Sequence, residues 1–83
     1  MDYIVRTVGQ LEPLLKGFRK AKKYSQSTLA NRLGISQQAL SALEREPESA
    51  SFSRLLQVLA ALDVEILLRE RKPNGDEGHP GSW

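Results

Sequence analysis

The 83-residue chain contains no cysteine and only one histidine, His79. Disulfides are therefore excluded, and a single histidine leaves too few ligands for a structural zinc site. We expect neither a metal nor any other cofactor. A chain of this length buries only about 60% of the surface that its unfolded form exposes, so a lone monomer would be marginally stable. Association with a second subunit is the remaining source of support.

The chain also lacks long apolar runs and catalytic clusters. No stretch approaches the ~18–20 apolar residues that cross a bilayer, and the start "MDYIVRTVGQ" lacks the basic and apolar segments of a secretion signal. The sequence contains no nucleophile–base pairing, group of metal ligands or phosphate-binding glycine loop, and His79 stands in a polar terminal segment. These absences predict a cytoplasmic protein that is not an enzyme, with neither a membrane nor a small molecule as its partner.

The net charge of +2 is small, but it is unevenly distributed. Residues 1–24 carry six Lys or Arg against two acidic residues, a balance of +4, whereas residues 73–83 carry −2. The basic excess is concentrated in "RKAKK", from Arg19 to Lys23. Such a cluster suits contact with a phosphate backbone, and it equally suits a solvated helix end.

The first half of the chain shows a helical repeat. Apolar residues in "LEPLLKGFRKAK" recur at the i, i+3, i+4, i+7 spacing of an amphipathic helix. These residues are Leu11, Leu14, Leu15, Phe18 and Ala21. Pro13 leaves two starts open: one near residues 9–10, with the proline in the first turn, and one at Thr7, with a kink at the proline.

Two short helices follow, each preceded by a serine that suits an N-cap. Ser25 opens "YSQSTLANRLG", and Gly34 ends that helix at the position where left-handed backbone geometry is easiest. Ser36 opens "SQQALSALERE", which Pro47 stops. We assign the buried side of this helix to three apolar residues, Ala39, Leu40 and Leu43. Two short helices joined by a glycine-containing turn predict a helix-turn-helix.

The remaining segments predict a fourth helix and a strand. Ser51 caps "FSRLLQVLAAL", whose apolar residues cover more than half of the helix circumference, so this helix is either central in the core or shared with another subunit. In "DVEILLRE" the repeat changes to two, with Val64, Ile66 and Leu68 on one side, as in a strand. We expect this strand to pair with its copy in a second subunit about a twofold axis, in preference to residues 2–6 of the same chain.

These patterns together define the predicted fold and its boundaries. We predict a mainly α fold of four to five helices, followed by one C-terminal β-strand that pairs across a homodimer. Because a helix-turn-helix suggests DNA binding, residues 1–72 would form the DNA-binding and dimerisation domain. Pro, Gly, Asp and Glu dominate residues 73–83, which we read as a flexible C-terminal tail.

The segment "SQSTLANRLGISQQALSALE" resembles the helix-turn-helix of the XRE/Cro-like repressors. It has that family's Gln at the start of the first motif helix, its Leu-Ala pair, its Gly-Ile-Ser turn and its Ser-x-x-Glu ending. In this chain these positions are Gln26, residues 29–30, residues 34–36, Ser41 and Glu44. Arg19 and Glu44 correspond to the ion pair that joins the first and third helices in the family. One departure is Lys23, where the family commonly has Gly.

The resemblance implies that the second motif helix enters the major groove of double-stranded DNA. Gln37, Gln38 and Ser41 would face base edges, where a Gln contact to adenine discriminates by about 1–3 kcal/mol. Ser36 would cap this helix and point toward the groove. Gln26 would lie against a phosphate, since helix N-termini favour anions. The other candidate phosphate contacts are three basic side chains, Lys22, Lys23 and Arg45.

Beyond the motif, "SRLLQVLAALDVEILLRERKP" resembles the HipB-type antitoxins, and the likeness covers residues from about 7 to 72. The resemblance implies a homodimer that binds a palindromic operator, represses its own operon and holds a HipA-like toxin, a serine/threonine kinase. Antitoxins of this type carry a flexible tail that can end in Trp, so Trp83 is a candidate anchor for the toxin. The alternative is a stand-alone XRE-family repressor with no toxin partner.

Overall fold

A computed structural model describes residues 2–71 of the chain. These residues form four α-helices: α1 is Leu11–Ala21, α2 is Gln26–Leu33, α3 is Gln37–Arg45 and α4 is Phe52–Ala61. Single 3-10 turns, Val8–Gln10 and Pro47–Ser49, precede α1 and α4. The predicted mainly α fold with four helices is confirmed in this part of the chain.

The three serines predicted as N-caps all cap their helices. The hydroxyl oxygens of Ser25, Ser36 and Ser51 each accept the backbone N–H three residues further on, at 3.0 Å. At the start of α1, Pro13 is the third helical residue, so it lies in the first turn, where a missing N–H breaks no helical hydrogen bond. The side-chain oxygen of Gln10 accepts the N–H of Thr7 at 2.9 Å and so anchors the preceding turn.

Two turns place a residue in the left-handed region. Gly34 ends α2 with φ 73°, and the Ile35 N–H then donates to the Ala30 carbonyl at 3.0 Å. Lys23, where the XRE/Cro-like repressors that the sequence resembles commonly have Gly, has φ 62° just after α1. The side chain of Lys23 makes this conformation costlier than it would be for Gly, by roughly 1–2 kcal/mol. The turn at Lys23 therefore has the left-handed geometry that glycine favours, although the residue is lysine.

One apolar core joins the four helices. Its buried members are Leu15, Leu29, Ala30, Leu40, Leu43, Val58 and Leu62. The assignment of Ala39 to the buried side of α3 was wrong, because this residue is exposed. The buried stripe of α3 runs through Leu40, Leu43 and Glu44, the i, i+3, i+4 positions of one helical face, and Ala39 lies beside it.

The segment after α4 forms neither a helix nor a strand within residues 2–71. The last backbone–backbone hydrogen bond here is from the Val64 N–H to the Leu59 carbonyl, at 2.8 Å. Ile66, Leu67 and Leu68 are all exposed, Leu68 to 90%. No ladder with residues 2–6 is present in the described part of the chain, so the paired strand and the dimer stay predictions. The tail, residues 73–83, with His79 and Trp83, lies outside the described residues.

An apolar groove of about 1150 Å³ lies between the two ends of the described chain. Side chains of α1 and α4 line it, among them Leu14, Phe18, Leu55 and Leu59. Residues 2–6 and 64–71 also line it. Among residues 2–71, no helix combines the length and the hydropathy that a membrane crossing requires.

Candidate nucleic-acid interface

Helix α3 has one side buried in the core and the other side exposed to solvent. Leu40 and Leu43 are buried in the core, whereas Gln37, Gln38 and Arg45 are exposed, and Ser41 is half-buried. Gln37, Ser41 and Arg45 follow one another at i, i+4 spacing, so they share one face along the helix. A rigid helix that presents polar side chains from its first two turns has the geometry needed to read a DNA groove.

The first turn of α3 is defined by the Ser36 cap. Its hydroxyl oxygen accepts the Ala39 N–H at 3.0 Å. Ser36 is also exposed and lies next to Gln37 and Gln38. The Ser36 cap therefore starts α3 at the point that places the predicted base-reading residues in its first two turns.

Arg19 and Glu44, predicted as an ion pair, are brought together between α1 and α3. The Arg19 Nε donates to Glu44 Oε2 at 2.6 Å, and its Nη2 donates to Glu44 Oε1 at 3.2 Å. The Arg19 Nη1 also donates to the Tyr24 carbonyl at 3.1 Å. Glu44 is only 1% exposed. The guanidinium thus binds the carboxylate bidentately in a site closed to water.

The same carboxylate holds a residue that was predicted to bind DNA. The Gln26 Nε2 donates to Glu44 Oε1 at 3.0 Å. Sequence reasoning missed this contact, because Gln26 and Glu44 are 18 residues apart and no local pattern relates them. The only available signal was that residue 44 falls on the same helical face as Leu40 and Leu43.

Comparison with known proteins identifies the family. A family model described as helix-turn-helix matches residues 15–68. Antitoxin HipB of Escherichia coli O6:H1 is 30% identical over 77 residues, which cover 89% of this chain and 82% of that antitoxin. The chain belongs to the HipB-type, XRE/Cro-like helix-turn-helix family. As a member of this family it is a DNA-binding transcriptional regulator.

Other relatives agree with this assignment. Antitoxin HipB of Escherichia coli K12 is 29% identical over 77 residues, 89% of this chain and 88% of that antitoxin. An uncharacterized HTH-type transcriptional regulator, y4dL of Sinorhizobium fredii, is 38% identical over 58 residues. That alignment covers 70% of this chain but only 30% of the regulator's length.

Solved structures of HipB complexes share the fold. A chain of a HipB-O1-O2 complex superposes with a TM-score of 0.76 at 25% identity, over 83% of this chain and the whole of that one. A chain of a HipA-HipB-O2-O3 complex gives a TM-score of 0.77 at 25% identity, over 86% of this chain and the whole of that one.

The three basic side chains predicted to contact phosphates have different surroundings in this HipB-type chain. Lys22 pairs with Asp63, which follows α4 and has φ 60°. The hydrogen bond from Lys22, with its charge, lowers the pKa of the Asp63 carboxyl below 3.8, and the carboxylate raises the pKa of Lys22 above 10.5. Lys23 and Arg45 are exposed. Sequence reasoning missed Asp63, because it is 41 residues from Lys22. Since Lys22 is paired with this carboxylate, a phosphate must compete with Asp63 for the Lys22 ammonium group.

Proposed function

We propose that the chain is a sequence-specific transcriptional repressor that acts as the antitoxin of a HipBA-type toxin–antitoxin module. It binds a palindromic operator as a homodimer and sequesters a HipA-like kinase toxin. The observation that carries the DNA-binding part is the exposed polar face on the first two turns of α3, which the core holds from behind. The antitoxin part is supported by the alignment with HipB antitoxins, which extends well beyond the helix-turn-helix.

In this proposal the two α3 helices of the dimer enter successive major grooves. Gln37, Gln38 and Ser41 contact base edges, and Ser36 lies at the entry of the helix into the groove. Phosphates are bound by Gln26 at the start of α2 and by three basic side chains, Lys22, Lys23 and Arg45. Each basic contact releases counterions, so operator affinity falls steeply with salt.

The homodimer is supported by the apolar surface that a single chain leaves uncovered. Val64, Ile66 and Leu68 belong to a segment with no backbone hydrogen bond beyond Val64 in the described chain. Unpaired backbone beside exposed apolar side chains favours pairing with another strand. Pairing of residues 64–68 with their copy about a twofold axis would satisfy the backbone and cover the groove between α1 and α4.

The toxin would bind on the outer surface of the dimer, away from the two α3 helices. A toxin partner is supported by a solved HipA-HipB-O2-O3 complex, one chain of which shares the fold of this protein. Trp83, in the tail, is proposed as an additional anchor for the toxin. Deletion of residues 80–83 should weaken capture of the kinase in a pull-down and leave operator affinity unchanged. Equal capture by the shortened chain would refute the role of Trp83.

The alternative is a stand-alone regulator with no toxin, as the match to an HTH-type transcriptional regulator allows. A neighbouring gene for a kinase-like protein, together with co-purification of its product, would decide for the antitoxin. Absence of a kinase from the complex captured in the source cell would decide for the stand-alone repressor.

Gln37→Ala tests base reading by α3. The operator is first selected from randomised duplexes, and affinity is then measured for that site and for a scrambled duplex. Loss of one bidentate base contact should cost roughly 1–3 kcal/mol on the selected site and almost nothing on the scrambled one. Gln57→Ala on α4 is the matched control, and it should leave both affinities unchanged. Equal losses on both duplexes for Gln37→Ala would contradict base readout by this residue.

A further inference from the structure

The buried carboxylate of Glu44 has no role in DNA binding as proposed above. It lies near the end of α3 and is 1% exposed. It accepts hydrogen bonds from Arg19 of α1 at 2.6 and 3.2 Å, and from Gln26 of α2 at 3.0 Å. One side chain therefore joins three helices and contacts a candidate phosphate-binding residue.

The chemistry of the carboxylate decides which end of the Gln26 amide faces it. A carboxamide has a donor end, Nε2, and an acceptor end, Oε1, whereas a carboxylate only accepts. Rotation of the Gln26 amide by half a turn would place Oε1 against a Glu44 oxygen, so that two acceptors would face each other. Such an arrangement is costly, because Glu44 is buried and no solvent is present to replace the hydrogen bond that its oxygen loses.

The same orientation prepares Gln26 for a phosphate. The Nε2 group has two hydrogens; one is donated to Glu44, and the other points away from it. Gln26 is half-exposed at the first position of α2, where the helix dipole also favours an anion. Phosphate oxygens are acceptors at neutral pH, so they require an N–H and are repelled by a carbonyl oxygen.

We propose that Glu44 is a positioning residue for DNA binding: it orients the Gln26 amide so that an N–H, and not the carbonyl oxygen, meets a backbone phosphate. This inference rests on the proposed role of Gln26 as a phosphate contact. It also explains why a buried acidic side chain can lie close to a DNA surface, since Arg19 neutralises its charge.

A double-mutant cycle on a short mixed-sequence duplex tests the proposal, because phosphate contacts do not depend on sequence. Gln26→Ala should lower the affinity at least about tenfold, as for the loss of one hydrogen bond to a charged group. Because Gln is uncharged, the salt dependence should not change. Glu44→Gln removes the constraint on the amide and should lower the affinity by a smaller factor. The double variant should bind no more weakly than Gln26→Ala alone. Losses that multiply would overturn the proposal, since Glu44 would then act by another route.

Gln57→Ala is the matched control, an exposed glutamine of α4 whose Oε1 accepts from Arg54 at 3.1 Å. It should bind the duplex like the wild type. Urea unfolding of each variant identifies the conditions in which all of them are folded, and the binding cycle is measured under those conditions.

A measurement on the wild-type protein makes the test independent of Glu44 variants. The side-chain amide protons of Gln26 are assigned in an NMR spectrum by their loss in Gln26→Ala. One of these protons should have the chemical shift of an N–H bonded to a carboxylate, both with and without DNA. The chemical shift of the other proton should change when the duplex is added. A Gln26 amide that does not respond to DNA would overturn the inference.

The two proposals fail in different ways. If the wild type binds no duplex, the repressor proposal fails, and the inference fails with it. If the wild type binds the duplex and Gln26→Ala binds it equally well, the phosphate contact of Gln26 and the positioning role of Glu44 are both refuted, whereas base reading by α3 is not.

Discussion

Replacement of Glu44 by alanine would leave the Arg19 guanidinium without its carboxylate in a nearly closed site. The side chains of Arg19 and Glu44 are only 11% and 2% exposed. Three donors lose their acceptor: Nε and Nη2 of Arg19, and Nε2 of Gln26. Gln26 is half-exposed and can turn to water, and Arg19 keeps the Tyr24 carbonyl.

The magnitude follows from this geometry. Removal of one partner of a buried ion pair costs about 3–5 kcal/mol. Because Arg19 retains one acceptor and a little exposure, we place Glu44→Ala near the lower end, at about 3 kcal/mol. The total stability of a small domain is about 5–15 kcal/mol, so this one contact accounts for a large share of it.

Urea unfolding at one fixed protein concentration measures the cost, since the stability of a dimer depends on concentration. Glu12→Ala is the matched control: Glu12 accepts from Lys16 at 3.0 Å, one turn away, and both side chains are well exposed, at 38% and 41%. An exposed i,i+4 pair contributes about 0.3–0.5 kcal/mol. Unfolding free energies that agree for Glu44→Ala and Glu12→Ala would refute the buried-pair argument.

The remaining predictions concern the dimer, the turn and pH. Ile66→Asp places a charge in the proposed intersubunit sheet and should shift sedimentation to the monomer or unfold the protein; a stable dimer would disprove the sheet. Gly34→Ala meets no atom within 4 Å but must keep φ 73°, so it should lower the unfolding free energy by roughly 1 kcal/mol, and unchanged stability would contradict the strain. The Asp63 pKa lies below 3.8, so its pair with Lys22 stabilises the fold above that pH and is lost as pH falls through the folded-state pKa. At the alkaline end, the raised pKa of Lys22 means that the contribution is complete below 10.5 and is lost as pH rises through the folded-state value. The stability difference between wild type and Asp63→Asn should therefore vanish on acidification, and a constant difference would exclude this pair as its cause.

Most of the helical scaffold could be predicted because its signals are local. The caps at Ser25, Ser36 and Ser51 each act on an N–H three residues away. Gly34 ends α2 because only glycine adopts its backbone geometry without strain. The error at Ala39 has a simple cause: a small apolar residue beside the buried stripe is equally compatible with solvent and core, and packing alone decides between them.

The residues of the candidate site could be predicted from the sequence, but of their contacts only the Arg19–Glu44 pair could. The resemblance to the XRE/Cro-like motif indicated Gln26, Gln37 and the Arg19–Glu44 pair. It did not indicate that Glu44 also holds Gln26, or that Lys22 is paired with Asp63. Both partners come from segments that are distant along the chain, and no periodic pattern relates them.

By itself, therefore, the sequence determined the four helices, their capped ends and the helix-turn-helix, since these follow from residues within one or two turns of each other. It also determined the family, because the motif residues are adjacent in the chain. The resemblance also indicated the pairing of Arg19 with Glu44, whereas tertiary structure alone decided two other polar contacts: Gln26 with Glu44 across 18 residues, and Lys22 with Asp63 across 41. Such contacts exist only after apolar packing has brought the helices together, since a hydrogen bond acts over ångströms, whatever the separation along the chain.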